Sequence, residues 1–295
     1  TGVQNVNYPY FAEEVRRKLL ELYGEKGLYE SGLIAKTTMV PAYQKTAEKA
    51  LRAGLMSYDR QFGLHSEPLA HIDIKGNWQE ELGGVVVPPG TGDLERMVVL
   101  ETGDKKATVG LVNGSKATVP FERMRWARKK GQSAPAKVSD VLKTGDVWLG
   151  EKYIEPAKDG KPAKENKDNI YALRQIPKVE GGIVVMDPHT GRIFAVAGGF
   201  SYGMSQFNRA TQAIRQPGSS FKPFVYITAL ENGFTPSTLV LDAPFVMDQG
   251  PGLGKWAPQN YHEDFNGPTP LRIGLEKSLN LMTVRLASYI GMDKI

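Results

Sequence analysis

Arg215-Gln216-Pro217-Gly218-Ser219-Ser220-Phe221-Lys222-Pro223 is the stretch on which the reading of this 295-residue chain turns. Pro217-Gly218 breaks whatever precedes it, and Ser219 opens a predicted helix that runs to Asn232 and is closed by Gly233. Residues three apart share a helix face, so the Ser219 hydroxyl and the Lys222 amine point the same way from the first turn. A hydroxyl beside an amine, at the positive end of a helix, is the equipment of an activated serine nucleophile. A lone Ser-x-x-Lys also arises by chance, with Ser219 as a first-turn cap and Lys222 as a surface lysine. The setting separates these readings. Phe221, Phe224, Val225 and Ile227 predict a helix buried in a core, and a lysine in its first turn loses solvation, which lowers its pKa towards that of a base.

Downstream, Ser278-Leu279-Asn280 lies 59 residues after Ser219 at a predicted loop between two helices. It supplies a second hydroxyl to relay a proton and an amide to hold the lysine or a substrate peptide. The helix before it starts at Thr269-Pro270 and runs through Lys277; the one after it spans 281–290. Between them and the first helix, 242–267 is a long irregular segment rich in Pro, Gly and Asn, of a length that is usually functional. Just upstream, 182–186 and 192–196 flank Asp187-Pro188-His189-Thr190-Gly191, predicting a tight hairpin of two well-buried strands.

Further upstream the texture changes twice. Residues 8–63 read as a helical connector: Phe11, Val15, Leu19 and Leu22 share one face with Gly24 as a stop, Leu33–Met39 is β-prone, and a helix from Pro41 carries Tyr43, Ala47, Leu51 and Leu55 inward. From about 63 to 178, short β-prone runs recur between turn signals: 69–74, 84–87, 96–100, 107–112, 116–119, 146–149 and 171–175. They predict a small antiparallel barrel or sandwich, with Pro156–Asp168 as a loop. Two features there invite functional readings. Arg123, Arg125, Arg128, Lys129 and Lys130 surround Trp126, but without a ladder of aromatics this is a solvated face and no nucleic acid is expected. Lys143-Thr144-Gly145 spells an active-site triplet of serine acyltransferases, yet it precedes the Ser–Lys pair and runs into Asp146-Val147-Trp148-Leu149. It reads as the turn before a strand.

Composition narrows the classes. The chain is 41% hydrophobic and 23% charged with a net charge of +5, ordinary for a globular protein that has room for more than one domain. There is no cysteine, hence no disulfide framework and no thiolate metal site. The four histidines, His65, His71, His189 and His262, show no metal-ligand spacing; neither metal nor organic cofactor is expected. No apolar run approaches the ~20 residues that span a bilayer, and no signal peptide is visible. Both ends read as cut from a longer protein.

Taken together, the motifs resemble the transpeptidase domain of class A (bifunctional) penicillin-binding proteins, the peptidoglycan synthases. The likeness covers 182–199, Phe207-Asn208-Arg209-Ala210, 215–223, 256–261 and 271–285 with its Ser-Leu-Asn. Residues 32–38 and the following helix resemble that family's interdomain linker, and the strand-rich region its oligonucleotide-binding-like insert. The resemblance implies that Ser219 attacks the carbonyl between the two terminal D-alanines of a peptidoglycan stem peptide, with Lys222 as general base. Ser278 relays the proton to the leaving amine, Asn280 holds Lys222 and the substrate, and the Ser219 N–H is half of the oxyanion hole. An amine of a neighbouring stem peptide then takes the acyl group, and a β-lactam traps Ser219. It also implies a periplasmic site on the bacterial inner membrane, held there by an N-terminal anchor outside these residues, and an insert that docks a regulatory protein. The family's Lys-Thr-Gly strand does not follow Ser278 here, and Leu279 stands where class A β-lactamases have Asp.

The expectation is therefore an α+β, multidomain chain. A helical linker (1–63) leads into a small all-β, OB-like barrel (64–178), followed by the N-terminal part of a transpeptidase domain (179–295), an incomplete antiparallel sheet packed with helices. Two other readings stand beside it: a DD-carboxypeptidase or β-lactamase-like hydrolase with water as acceptor, and a non-catalytic docking scaffold.

Overall fold

The computed structural model describes residues 8–155, 164–165 and 169–295; most of the expected loop Pro156–Asp168 lies outside the described residues. The chain divides into two compact units, Thr1–Ala213 and Ile214–Ile295.

In the first unit, α1 (Pro9–Glu30) starts on a proline, whose missing N–H is harmless in a first turn, and kinks at Gly24 (φ 66°, ψ 178°). Phe11 is buried, but Leu22 of the same predicted stripe is exposed: only the turns before the kink pack. α2 (Pro41–Asp59) buries Ala47 and Leu55 as its periodicity predicts, whereas Tyr43 is exposed and Gln44 takes the inward place at 0% exposure. Hydrogen bonding explains the exchange. The Gln44 amide donates to the Val196 carbonyl at 2.8 Å and accepts the Val196 N–H at 2.9 Å, so a polar side chain fills the row of a missing strand neighbour.

The strand-rich part comprises β1 (Ala70–His71), α3 (Trp78–Gly84), β2 (Glu95–Thr102), β3 (Lys106–Leu111), β4 (Lys116–Pro120), β5 (Asp146–Lys152), β6 (Ile154–Glu155), β7 (Lys164–Glu165) and β8 (Tyr171–Arg174). β1, β5, β2, β3 and β4 pair antiparallel in that order, and β8 adds to β5. β4 returns to β8 through one bridge, Thr118 to Ile170, so the predicted barrel is a partly open one. Alternation sorts the faces: Met97, Val99, Val109 and Trp148 point to the barrel core, Val98 and Val147 to Leu82 of α3. The strand expected at 84–87 is absent. α3 occupies Trp78–Gly84 with Leu82 buried against the sheet, and the Val85 carbonyl accepts from the Arg96 guanidinium. The run expected over 69–74 shrinks to the two residues of β1.

β9 (Ile183–Met186) and β10 (Ile193–Ala197) form the expected hairpin, closed by the Asp187 carboxylate on the His189 N–H and the Thr190 hydroxyl. Only 195–197 are buried, because among the described residues the ribbon has two strands and one packed face, against α2. Val184 and Met186 are exposed, which corrects the expectation of two well-buried strands. The hairpin thus joins the first compact unit rather than the residues around Ser219.

The second unit holds α4 (Lys222–Glu231), β11 (Leu239–Asp242), β12 (Met247–Asp248), β13 (Lys255–Trp256), β14 (Gly267–Pro270), α5 (Leu271–Glu276) and α6 (Asn280–Ile290). β11 pairs antiparallel with β14. Val225, Tyr226, Ala229, Val240, Leu271, Leu279, Met282 and Leu286 form its core. At Gly274 a Cβ would stand 2.7 Å from both the Met282 methyl and the Tyr226 hydroxyl, so glycine permits α5 to approach α4 and α6. The predicted burial of α4 holds for one face only. Val225 and Tyr226 point inward, while Phe221, Phe224 and Ile227 are exposed, as a 3.6-residue period requires when a single core covers the helix.

Candidate active site

Ser219 lies exposed in a 3-10 turn, Gly218–Phe221, and α4 begins at Lys222. Gly218 adopts φ 56°, a left-handed value that costs glycine nothing. Lys222 falls on the stripe 222, 225, 226, 229, the buried face of α4. It is 8% exposed, and burial lowers its pKa from the ordinary 10.5.

After α5, Ser278 turns the chain at φ 54°, a conformation that non-glycine residues avoid. The turn is held by Ser278 N–H to Leu275 O (3.0 Å), Leu279 N–H to Gly274 O (2.9 Å) and the burial of Leu279 in the core. It aims both Ser278 oxygens at one amine. Lys222 Nζ lies 2.6 Å from the Ser278 carbonyl, 3.0 Å from its Oγ and 2.6 Å from Asn280 Oδ1. Ser278 Oγ is in turn 3.2 Å from Ser219 Oγ. The structure therefore brings all four sequence-predicted site residues into one hydrogen-bonded cluster.

The donor inventory says what this cluster can do. A carbonyl and an amide oxygen only accept, so they take two N–H groups of Lys222. The third position faces Ser278 Oγ. In the neutral amine it is a lone pair, which accepts the Ser278 hydroxyl and leaves Ser278 Oγ open to the Ser219 hydroxyl. In the ammonium it is a third N–H, and Ser219 has no route to a base. Loss of solvation, by favouring the neutral amine, favours the relay.

Residues that sequence reasoning missed hold this cluster in place. Asn260 Oδ1 accepts the first two N–H groups of α6, Asn280 at 2.9 Å and Leu281 at 3.2 Å, which have no partners within the helix. Its Nδ2 donates to Asp242 Oδ1 (2.8 Å) and to the Asp264 carbonyl (2.9 Å). Asp242, 0% exposed, also receives the N–H and side-chain amide of Asn266. Asn280 Nδ2 donates to the Gln259 carbonyl (2.9 Å), which fixes the end of its amide that faces Lys222. The length of the irregular segment 242–267 and the likeness over 256–261 pointed to this region, but neither singled out Asp242 or Asn260, which have no spacing signature.

The other flagged residues lie elsewhere. Gly145 of Lys143-Thr144-Gly145 sits at φ 89° and pairs with Val99 and Ile72, at the turn into β5. Arg123 stacks on the Tyr153 ring at 3.5 Å and Trp126 packs on the barrel core, which disperses the basic run. His65 and His71 pair with Asp59 and Asp146, each at 2.9 Å; His189 is in the hairpin turn and His262 stands edge-on to Tyr261.

Fold and cluster together define an α+β protein with the apparatus of a serine acyltransferase. Residues 66–179 match the penicillin-binding protein OB-like domain and residues 181–295 the penicillin binding protein transpeptidase domain. The chain belongs to the penicillin-binding proteins. It is 42% identical to penicillin-binding protein 1A of Rickettsia prowazekii over 99% of its own length and 35% of that protein. To penicillin-binding protein 1A of Escherichia coli it is 31% identical, over 97% of its length and 33% of that protein. The crystal structure of penicillin-binding protein 1A from Haemophilus influenzae superposes with a TM-score of 0.74 at 32% identity, covering 98% of this chain and 40% of the other. The chain thus spans about a third of the length of the curated relatives it matches. Among the described residues no helix is long and apolar enough to cross a membrane.

Proposed function

We propose that these residues carry the acylation step of a serine DD-transpeptidase that cross-links peptidoglycan at the periplasmic face of the inner membrane. Ser219 Oγ attacks the D-Ala-D-Ala carbonyl of a stem peptide, and its proton passes through Ser278 Oγ to Lys222 Nζ. The carbon–nitrogen bond breaks, and the same proton returns to the departing D-alanine amine. Asn280 holds Lys222 and the substrate amide, and the acyl group on Ser219 passes to an amine of a second stem peptide. β-Lactams acylate the same oxygen. The observation that carries this reading is the run Ser219 Oγ, Ser278 Oγ, Lys222 Nζ at 3.2 and 3.0 Å. A fluorescent penicillin tests it: covalent labelling is expected in the native sequence and none in Ser219→Ala. Labelling that survives this substitution overturns the assignment.

A further inference from the structure

Arg285 follows Leu281 by four residues on the same face of α6 and is half-buried. Its guanidinium is directed at backbone. Nη1 donates to the Leu241 carbonyl and, at 3.3 Å, to that of Ala243, while Nη2 donates to the Pro244 carbonyl at 3.1 Å. The centre of the Phe245 ring stands 5.4 Å from the guanidinium carbon, within cation–π range. Among the described residues no carboxylate is paired with this arginine. A rigid fork engaged on three carbonyls of one short segment fixes the course of that segment.

That segment carries Asp242. Leu241 and Ala243 flank it, so its backbone is held on both sides, and its buried carboxylate receives Asn260 once and Asn266 twice. Asn260 in turn accepts the first N–H groups of α6, at Asn280 and Leu281. The path therefore closes on the helix where it began. The second turn of α6 holds 241–244, Asp242 holds Asn260, and Asn260 holds the first turn, from which Asn280 Oδ1 reaches Lys222 Nζ at 2.6 Å. In such a ring no link shifts without straining the next, so the first turn is held more firmly than by one cap alone.

We infer that Arg285 is a positioning residue for the acylation step: by holding the backbone around Asp242 it sets Asn260, and so keeps Asn280 Oδ1 aimed at Lys222. This inference rests on the transpeptidase reading and adds to it the group that keeps the base oriented. With the Ser278 carbonyl and Asn280 Oδ1 both fixed, the lone pair of the neutral amine faces Ser278 Oγ. When Asn280 is free to shift, the amine turns and its lone pair leaves the route of the Ser219 proton. Arg285 takes no part in the proton transfer; its effect reaches Lys222 through Asp242, Asn260 and Asn280.

The test follows fluorescent penicillin labelling of the whole chain in time, and reads two quantities: the rate at saturating penicillin and the amount labelled at completion. Arg285→Met is expected to slow the rate about tenfold, part of the ~100-fold that a misplaced group can cost, and to leave the final amount unchanged. Arg285→Lys, whose ammonium can stand where Nη1 does between the Leu241 and Ala243 carbonyls, is expected to restore the rate to within about threefold of native. A merely structural role lowers the amount labelled and leaves the rate of the remainder at its native value. That result overturns the inference, as does a native rate with full labelling. Where Arg285→Met labels nothing at completion, Arg285→Gln, which keeps an N–H donor, is read in the same two ways. Absence of labelling in the native chain overturns the transpeptidase reading and the inference with it. A spectroscopic measurement stands apart from activity: the side-chain amide resonances of Asn260 and Asn280 are expected to shift in Arg285→Met and to return in Arg285→Lys. Unshifted resonances contradict the inference.

Discussion

Lys222 meets Ser278 twice, through Nζ to the backbone carbonyl at 2.6 Å and to Oγ at 3.0 Å, and both contacts depend on Ser278 standing at φ 54°. A residue in an extended or right-handed conformation at this position would carry its carbonyl and side chain away from the amine. Local strain is retained here because Leu279 beside it is anchored in the core.

Backbone and hydroxyl at Ser278 are therefore separable. Ser278→Ala keeps the left-handed strain and Ser278→Gly releases it, so the glycine variant is expected to be more stable than the alanine variant by about 1 kcal/mol in denaturant unfolding. Both lose the hydroxyl relay and are expected to label with penicillin equally slowly. A fast-labelling glycine variant would remove Ser278 Oγ from the proposed route.

Burial of Lys222 sets a pH dependence whose sign is fixed. The folded protein releases the Lys222 proton below the ordinary value of 10.5, so the labelling rate is expected to rise with pH through that depressed value and then level. Stability follows by linkage. Between the folded value and 10.5 the unfolded chain holds more protons, so stability rises with pH across this window and is complete above 10.5; it is lost as pH falls through the folded value. Comparing Lys222→Met with the native chain by denaturant unfolding from pH 7 to 11 isolates this contribution, which the variant lacks.

Asn260 satisfies two backbone N–H groups and two acceptors at once. Asn260→Ala leaves them unpaired around a buried carboxylate, and a loss of roughly 2–4 kcal/mol is expected. Hydrogen exchange locates it: the amides of Asn280 and Leu281 are expected to lose protection first. Unchanged protection there would show that α6 holds its first turn by other means.

Gln44 offers the same logic in the first unit. Gln44→Leu preserves bulk but leaves the Val196 N–H and carbonyl without partners, for an expected cost of about 2 kcal/mol. A neutral effect on unfolding would mean that solvent reaches β10.

Lys143→Ala is expected to leave penicillin labelling unchanged. Its amine donates to the Ser139 carbonyl at 2.6 Å, and its triplet serves the turn into β5. A severalfold loss of labelling would give that triplet a role in the chemistry.

Much was legible from local rules. The alternation of the barrel strands, the hairpin turn at Asp187 and the helix start at Pro41 follow from propensity and backbone chemistry that act within a few residues. Helix pitch also put Ser219 and Lys222 on one face, although the structure holds Ser219 in a 3-10 turn ahead of α4 and links it to Lys222 through Ser278. What failed were statements about who covers whom. Tyr43 and Gln44 compete for one inward place, and the choice falls to Val196, 152 residues away. Phe224 and Ile227 are as apolar as Val225, yet the core of the second unit covers one face of α4 and, among the described residues, not theirs.

The sequence by itself determined the chemical groups: a serine and a lysine one helical turn apart, and a second serine and an asparagine 59 residues on. Only the tertiary structure decided that the two pairs meet, that the strained turn at Ser278 presents both of its oxygens to Lys222, and that Asn260 fixes the start of α6. The physical reason is that helix pitch acts over four residues, whereas desolvation of an amine and satisfaction of a helix end depend on atoms brought from distant parts of the chain.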